Sequence, residues 1–322
     1  MGLSSSAART QRGFRHGLPG PAVAALWLAV GASAAAAQSR SNVYAGLVLE
    51  APAGIEAAAF GNAPYLLGGG AELIFYAPAL IGRADGLAAG LQRYGSEGTL
   101  ATLAGTGSVG LGDFAIGLQY LRYNTEGLPR APDIQWPAVT ADGPPLTEFV
   151  ASLGYARELF AAVDVGVVAK YLEYQFVSRT ERTTLLDVGI AREFGPTMVS
   201  LAVRNLGSDL ELRGRGLRIP TQFVMGISTE GFEVGELDMF LTSQVARRRD
   251  GEIIPAGGVE ISYWPVQGYT FRLRAGLQRV VEDRRSPFTF GLAFTGDALT
   301  LEYAFQAFDV AGNAHRFGLS FR

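Results

Sequence analysis

The sequence predicts an all-β protein: a transmembrane antiparallel β-barrel of about fourteen strands, preceded by an N-terminal periplasmic plug segment. Three observations carry that expectation. From residue 149 to the end, apolar side chains recur at every second position, segment after segment. The connections between those segments alternate between long and short. After the first 37 residues no uninterrupted apolar run reaches the length of a membrane helix, whereas a barrel strand needs only a short alternating stretch.

Residues 1–37 read as a secretory signal. Arg9, Arg12 and Arg15 precede an apolar run from Pro21 to Val30, and small residues ending Ala35-Ala36-Ala37 place the expected cleavage before Gln38. A signal anchor is the alternative, but the run is too short to cross ~30 Å of hydrocarbon. Its removal takes away three arginines and no acid, leaving 24 bases against 30 acids. An acidic chain without a Lys/Arg-rich stripe is not expected to bind nucleic acid. The one run of three bases, Arg247-Arg248-Arg249, falls in an expected loop and reads as a solvated tip or a contact with anionic lipid headgroups. No cysteine is present, so disulfides and thiolate metal sites are excluded, and no cofactor is expected.

Residues 38–86 break the rhythm with clusters of Gly, Ala and Pro. Irregular backbone at membrane depth is tolerated only when buried in protein or lining a cavity, so this stretch is expected to fold into the periplasmic mouth as a plug. An additional strand around residues 43–50 is the alternative. Residues 87–322 form the expected barrel, with strands near 87–94, 100–111, 114–123, 148–158, 161–176, 183–193, 197–205, 221–229, 237–246, 255–264, 269–278, 287–295, 299–305 and 315–321. An even count lets a single-chain bacterial barrel close with both ends on the periplasmic side. A soluble β-sandwich is the competing architecture, but it needs neither this many strands nor an apolar coat on one face.

Alternation also gives the orientation. Phe271, Leu273, Ala275 and Leu277 oppose Thr270, Arg272, Arg274 and Gln278, because successive strand residues face opposite sides. An Arg or Lys on the lipid face costs ~2–4 kcal/mol near the midplane, so Arg272, Arg274 and Lys170 should face the lumen. Gly112-Asp113, Phe194-Gly195-Pro196 and Gly296-Asp297 read as tight periplasmic turns. The longer connections, at 124–147, 207–220, 247–255, 280–286 and 306–314, read as extracellular loops. The longest carries Pro129, Pro132, Pro137, Pro144 and Pro145, which exclude a regular ladder, and the 207–220 stretch reads as loop. The expected place is therefore the outer membrane of a Gram-negative-type bacterium, with both termini periplasmic.

The segment Phe75-Tyr76-Ala77-Pro78-Ala79, after Leu67-Gly68-Gly69-Gly70, resembles the signature that follows the plug in the PorV/PorQ family, with Ala77 where that family carries Asn. The final hairpin, from Tyr303 through His315 to Phe321, is also similar to that family's. The family in turn resembles the FadL-type channels in fold. The resemblance implies a secretion-associated or surface-assembly barrel of type IX character, whose partners would be secretion-system components or exported cargo besides membrane lipid. The alternative is a FadL-like channel for hydrophobic small molecules such as fatty acids.

Two sets of residues could carry chemistry. Lumen-facing charges at Asp164, Lys170, Asp187, Glu193, Arg204, Glu260, Arg272, Arg274 and Glu302 could pair internally and fill the barrel, or Arg272 and Arg274 could capture a carboxylate. His315, with Asn313 and Ser320 nearby, lacks the motif and the shared face of a Ser/His nucleophile system, so no enzyme activity is expected. Phe317, Leu319 and Phe321 form the alternating apolar end expected to serve as the assembly signal.

Overall fold

The computed structural model describes residues 45–95, 98–124, 145–159, 162–176, 179–212, 215–280, 285–308 and 312–322. The expected signal peptide and nearly all of the longest loop lie outside them. The wall begins with β1 (Leu87–Tyr94), β2 (Gly98–Val109), β3 (Gly112–Asn124), β4 (Pro145–Glu158), β5 (Val163–Phe176), β6 (Arg179–Phe194) and β7 (Thr197–Gly207). Past two short strands that lie outside it, β8 (Leu210–Leu212) and β9 (Arg215–Leu217), the wall continues with β10 (Gln222–Val234), β11 (Leu237–Arg248), β12 (Ile253–Val266), β13 (Tyr269–Gln278), β14 (Arg285–Gly296), β15 (Leu299–Phe308) and β16 (Ala314–Phe321). These fourteen strands form one closed antiparallel barrel, sealed where β1 pairs with β16 from Leu87↔Phe321 to Tyr94↔Ala314. Closure leaves no unpaired edge, which the bilayer demands of any sheet that crosses it.

Side chains sort across the wall as the alternation requires. Phe288, Phe290 and Leu292 on β14 are more than half exposed on the outer surface, while Thr289 and Gly291 between them are buried against the interior. Polar side chains point inward, and Gln92, Glu148, Asp187 and Ser262 are fully shielded. No helix among the described residues is long and apolar enough to cross a membrane.

Several expected boundaries move. Between β7 and β10 the stretch read as loop contains a small hairpin, β8 (Leu210–Leu212) with β9 (Arg215–Leu217). Its Leu210 and Leu217 are buried, which is what rescues so short a ladder. Pro145, expected to exclude a ladder, instead opens β4 opposite Asn124, the first-residue position where a missing N–H is harmless. Arg247 and Arg248 belong to β11, and Arg248 is not a solvated tip: its side chain is 9% exposed and pairs with Glu50 at 2.8 Å and with Glu252. Of the possible extra strand over residues 43–50, residues 43 and 44 lie outside the described ones, and Leu47–Glu50 is a single helical turn, α1.

Residues 45–86 occupy the lumen. Besides α1 they form α2 (Ile55–Ala59) and two 3-10 turns, Ala71–Phe75 and Pro78–Arg83. The path runs from mouth to mouth. Ala45 donates its N–H to the Arg218 carbonyl at the end carrying the longer loops, while the Gly68 carbonyl accepts from Arg322 at the short-turn end. The chain thus enters the described structure at the long-loop mouth, opposite Phe321. This irregular backbone is satisfied from the wall: Gln119 donates to Val48, Gln244 to Asn62, Thr242 to Pro64 and Thr289 to Ala59. Two wall glycines permit the contact. A Cβ on Gly166 would sit 2.1 Å from the Pro78 carbonyl oxygen, and one on Gly276 would sit 2.3 Å from the Gly61 nitrogen.

Candidate functional site

Three zones line the lumen. On the β12–β15 side, Arg274 is 1% exposed and gathers three carboxylates: Glu260 at 2.6 Å from the adjacent strand, Glu302 at 2.5 Å from two strands away, and Glu56 of α2 at 3.1 Å. Arg272 reaches Glu260 at 3.6 Å, and Ser262 donates to Glu260. The Arg274 guanidinium also lies 5.5 Å from the Phe60 ring centre. Burial, helped by the neighbouring carboxylates and opposed by Arg274, pushes the Glu56 carboxyl up to about 7. Burial likewise lifts Glu72 to about 8. The group is an ionic rivet between the N-terminal segment and the wall, because charges so enclosed persist only when paired.

The second zone lies at a register shift between β6 and β7, where Asp187 faces both Arg204 and Asn205. Lys170 meets Asp187 at 2.6 Å and donates to Asn205 at 2.9 Å. Arg204 donates to Gln222 and to the Phe75 carbonyl, stands 5.9 Å from the Tyr76 ring, and leaves its Nε without a partner. Lys170 and Arg204 line a cavity of about 50 Å³ together with Gln119, Gln222, Gln244 and Tyr76. Its size and polarity suit a few water molecules. Burial pushes the Tyr76 hydroxyl up to about 12, while it accepts from the Ala53 and Gly54 N–H groups and donates to Asn62.

The third zone, at the long-loop end, is apolar. Leu100, Leu121, Val150, Leu172 and Leu185, from five consecutive strands, point inward and are almost completely shielded. The β8–β9 hairpin adds Leu210 and Leu217, with Ile219 beside it. Val48 fills the chamber, flanked by Leu47 and Leu49. Beside Leu121, its register partner, the Glu148 carboxylate takes the N–H groups of Gly46 at 2.9 Å and Val48 at 2.7 Å.

The remaining candidate residues separate. Phe75, Tyr76, Ala77, Pro78 and Ala79 are all buried at the junction of the two 3-10 turns. Asp164 and Glu193 meet at Arg83, at 2.9 and 2.6 Å, at the short-turn end. Phe317, Leu319 and Phe321 lie on the outer face. His315 shares that face, and its Nδ1 is 2.8 Å from the Tyr303 hydroxyl; Ser320 points the other way. Sequence reasoning missed Glu50, Glu56, Glu148 and Arg316. Arg316 is 1% exposed, bonded to Gln92 and Gln306, and like Arg204 it reaches no carboxylate among the described residues. Strand parity could have found Arg316 and Glu148, since each is followed by an outward aromatic, Phe317 and Phe149; the Glu56 and Glu50 contacts span 218 and 198 residues and leave no local trace.

The fold is similar to that of the Pseudomonas putida toluene transporter TodX, with a TM-score of 0.58 and 10% identity over 87% of this chain and 98% of that one. A TodX monoaromatic hydrocarbon channel deltaS2 mutant matches at 0.54 and 10%, covering 83% and 96%. The deltaS2S3 mutant matches at 0.50 and 9%, covering 78% and 93%. No protein-family model matches the sequence, and no curated protein does. At such identities the likeness is one of architecture, and that architecture is the outer-membrane β-barrel.

Proposed function

We propose that the chain is a non-enzymatic outer-membrane channel for hydrophobic small molecules, oriented with its longer loops outside and its C-terminus in the periplasm. The observation that carries this reading is the apolar chamber. Barrel interiors are normally polar, so five inward aliphatic residues on consecutive strands call for an apolar occupant. In this conformation the occupant is Val48, with Leu47 and Leu49 beside it, and a ligand would have to replace them. The shared architecture with a hydrocarbon channel supports the same reading. It favours the FadL-like alternative over the secretion-associated one. Kinship with PorV/PorQ rests on the sequence of the two ends alone.

The test is uptake of radiolabelled toluene and oleate, at limiting concentration, by cells with and without the protein. Uptake of at least one should fall on deletion and return with the intact chain, while Leu172→Asn should assemble but restore it poorly. Identical uptake of both in deleted and complemented cells would end this reading.

A further inference from the structure

The outer wall carries a polar row where an apolar coat is expected. The register places His315, Arg93, Thr99, Arg122, Thr147 and Gln175 side by side on six adjacent strands, β16, β1, β2, β3, β4 and β5. Each alternates with inward residues such as Gln92, Leu100 and Leu121, so all six point outward. The next outward row toward the bilayer centre reads Phe317, Leu91, Ala101, Tyr120 and Phe149, with Leu91 54% and Tyr120 47% exposed, and ends on β5 at Glu173. Polar side chains therefore border an aromatic and aliphatic row on its long-loop side, the direction in which the lipid headgroups lie.

The row carries positive charge and no acid. Arg93 spends its Nε on the Gly95 carbonyl, and Arg122 makes no ion pair among the described residues. The acid that borders the row, Glu173, is held by Arg182 at 2.9 Å. Arg93 and Arg122 stand two strands apart, roughly 10 Å, with the Thr99 hydroxyl position between them. From His315 to Thr147 the row runs roughly 19 Å, four strand spacings. Guanidinium groups match phosphate oxygens in a fork, and at this depth the anion available to a bilayer-facing arginine belongs to a lipid.

We propose that the row formed by Arg93, Thr99, Arg122 and Thr147 binds the headgroup of a lipid bearing two phosphate groups. Two separated arginines, each with a neighbouring hydroxyl, match two phosphates better than the single phosphodiester of an ordinary phospholipid. The proposal rests on the wall facing the bilayer and is independent of what the lumen carries, so loss of the transport reading would leave it standing.

Native mass spectrometry of the detergent-solubilised full chain tests it, by titration with bisphosphorylated lipid A, its phosphate-free counterpart and phosphatidylglycerol. The bisphosphorylated lipid should bind tightest. Arg93→Gln and Arg122→Gln should each weaken it about fivefold, the contribution of one arginine near a charged lipid surface, and the double variant roughly 25-fold. Arg182→Gln, whose guanidinium already has a carboxylate, should bind as the unaltered chain does. Heat-modifiable migration checks that each variant is a folded barrel, and Thr99→Ala with Thr147→Ala gives a second, milder loss on the same surface. Unchanged binding by the double arginine variant, equal binding of the phosphate-free lipid, or phosphatidylglycerol binding as tightly as lipid A would each overturn the assignment.

Discussion

Replacing Arg274 with Met should be among the most damaging single changes in the barrel interior. The side chain keeps roughly its length, but Glu260, Glu302 and Glu56 lose the guanidinium they share at 2.5–3.1 Å. Removing one member of a buried ionic group costs about 3–5 kcal/mol, because the partners stay buried without compensation. Three carboxylates on one cation put this site at the upper end of that range. The contrast lies in the quadruple variant Arg274→Met, Glu260→Gln, Glu302→Gln and Glu56→Gln: a fully neutral group should recover most of the loss, since replacing a whole buried ionic group is close to neutral. Urea unfolding of the detergent-folded protein, followed by heat-modifiable migration at neutral pH, gives the free energies. An Arg274→Met barrel within 1 kcal/mol of the unaltered protein, or a quadruple variant no more stable than the single one, would refute the rivet.

Four further outcomes follow from the same geometry. Glu148→Ala should leave two N–H groups without an acceptor at a local cost of about 1–3 kcal/mol, seen as faster hydrogen exchange across residues 45–50 with the strands unchanged; equal exchange would contradict the clamp. Because the Glu56 and Glu72 carboxyls titrate near 7 and 8, above the ordinary carboxylate range, the folded segment holds their protons more tightly than the unfolded chain does. Its stability should therefore be fullest below the ordinary carboxylate value of 4.5 and decline as pH rises from there to 7 and 8, and intrinsic-rate-corrected exchange over residues 55–76 that slows on that rise would be the wrong sign. Gly166→Val should displace the Pro78–Arg83 turn and lower the yield of folded barrel, since its Cβ would stand 2.1 Å from the Pro78 oxygen; normal yield and normal exchange at the turn would count against that contact. Truncation after Ser320 removes Phe321, which pairs with both Leu87 and Leu299 at the seam, and should reduce insertion; unchanged insertion would rule Phe321 out as the assembly signal.

What was legible in the sequence is what the bilayer enforces locally. Phe288, Phe290 and Leu292 announce a lipid-facing strand because an outward residue answers to lipid whatever its neighbours are. Interior partners obey no such local rule. Arg274 could be assigned to the lumen by parity, but its meeting with Glu56 depends on how residues 45–86 thread the barrel, and the period-two pattern carries no information about that path. Glu302 reaches Arg274 from two strands away, because β13 and β15 flank the same strand. The β8–β9 hairpin was missed for a related reason: three-residue strands are too short to show a period, and theirs form over the apolar chamber beneath.

The mouth-to-mouth path decides which part of the segment can move. At the short-turn end the segment continues directly into β1, whose first residue Leu87 pairs with both Phe321 and Gly105, so that end cannot leave without unzipping the closure seam. The Arg274 rivet and the glycine-lined contacts hold the middle. At the long-loop end the described segment is held by the Glu148 clamp, the Glu50 to Arg248 pair, the backbone bond from Ala45 and the packing of Leu47, Val48 and Leu49. Those contacts involve α1 and its flanks alone, and α1 is one turn, too short to hold its shape without them. Release of residues 45–53 would therefore empty the apolar chamber while the rivet, the glycine contacts and all fourteen strand pairings remain. The same aliphatic surface that packs Val48 would then be open to an apolar ligand. Occupancy of the chamber and order in α1 are mutually exclusive on steric grounds, so any ligand that binds there should raise exchange at residues 45–50 as Glu148→Ala does.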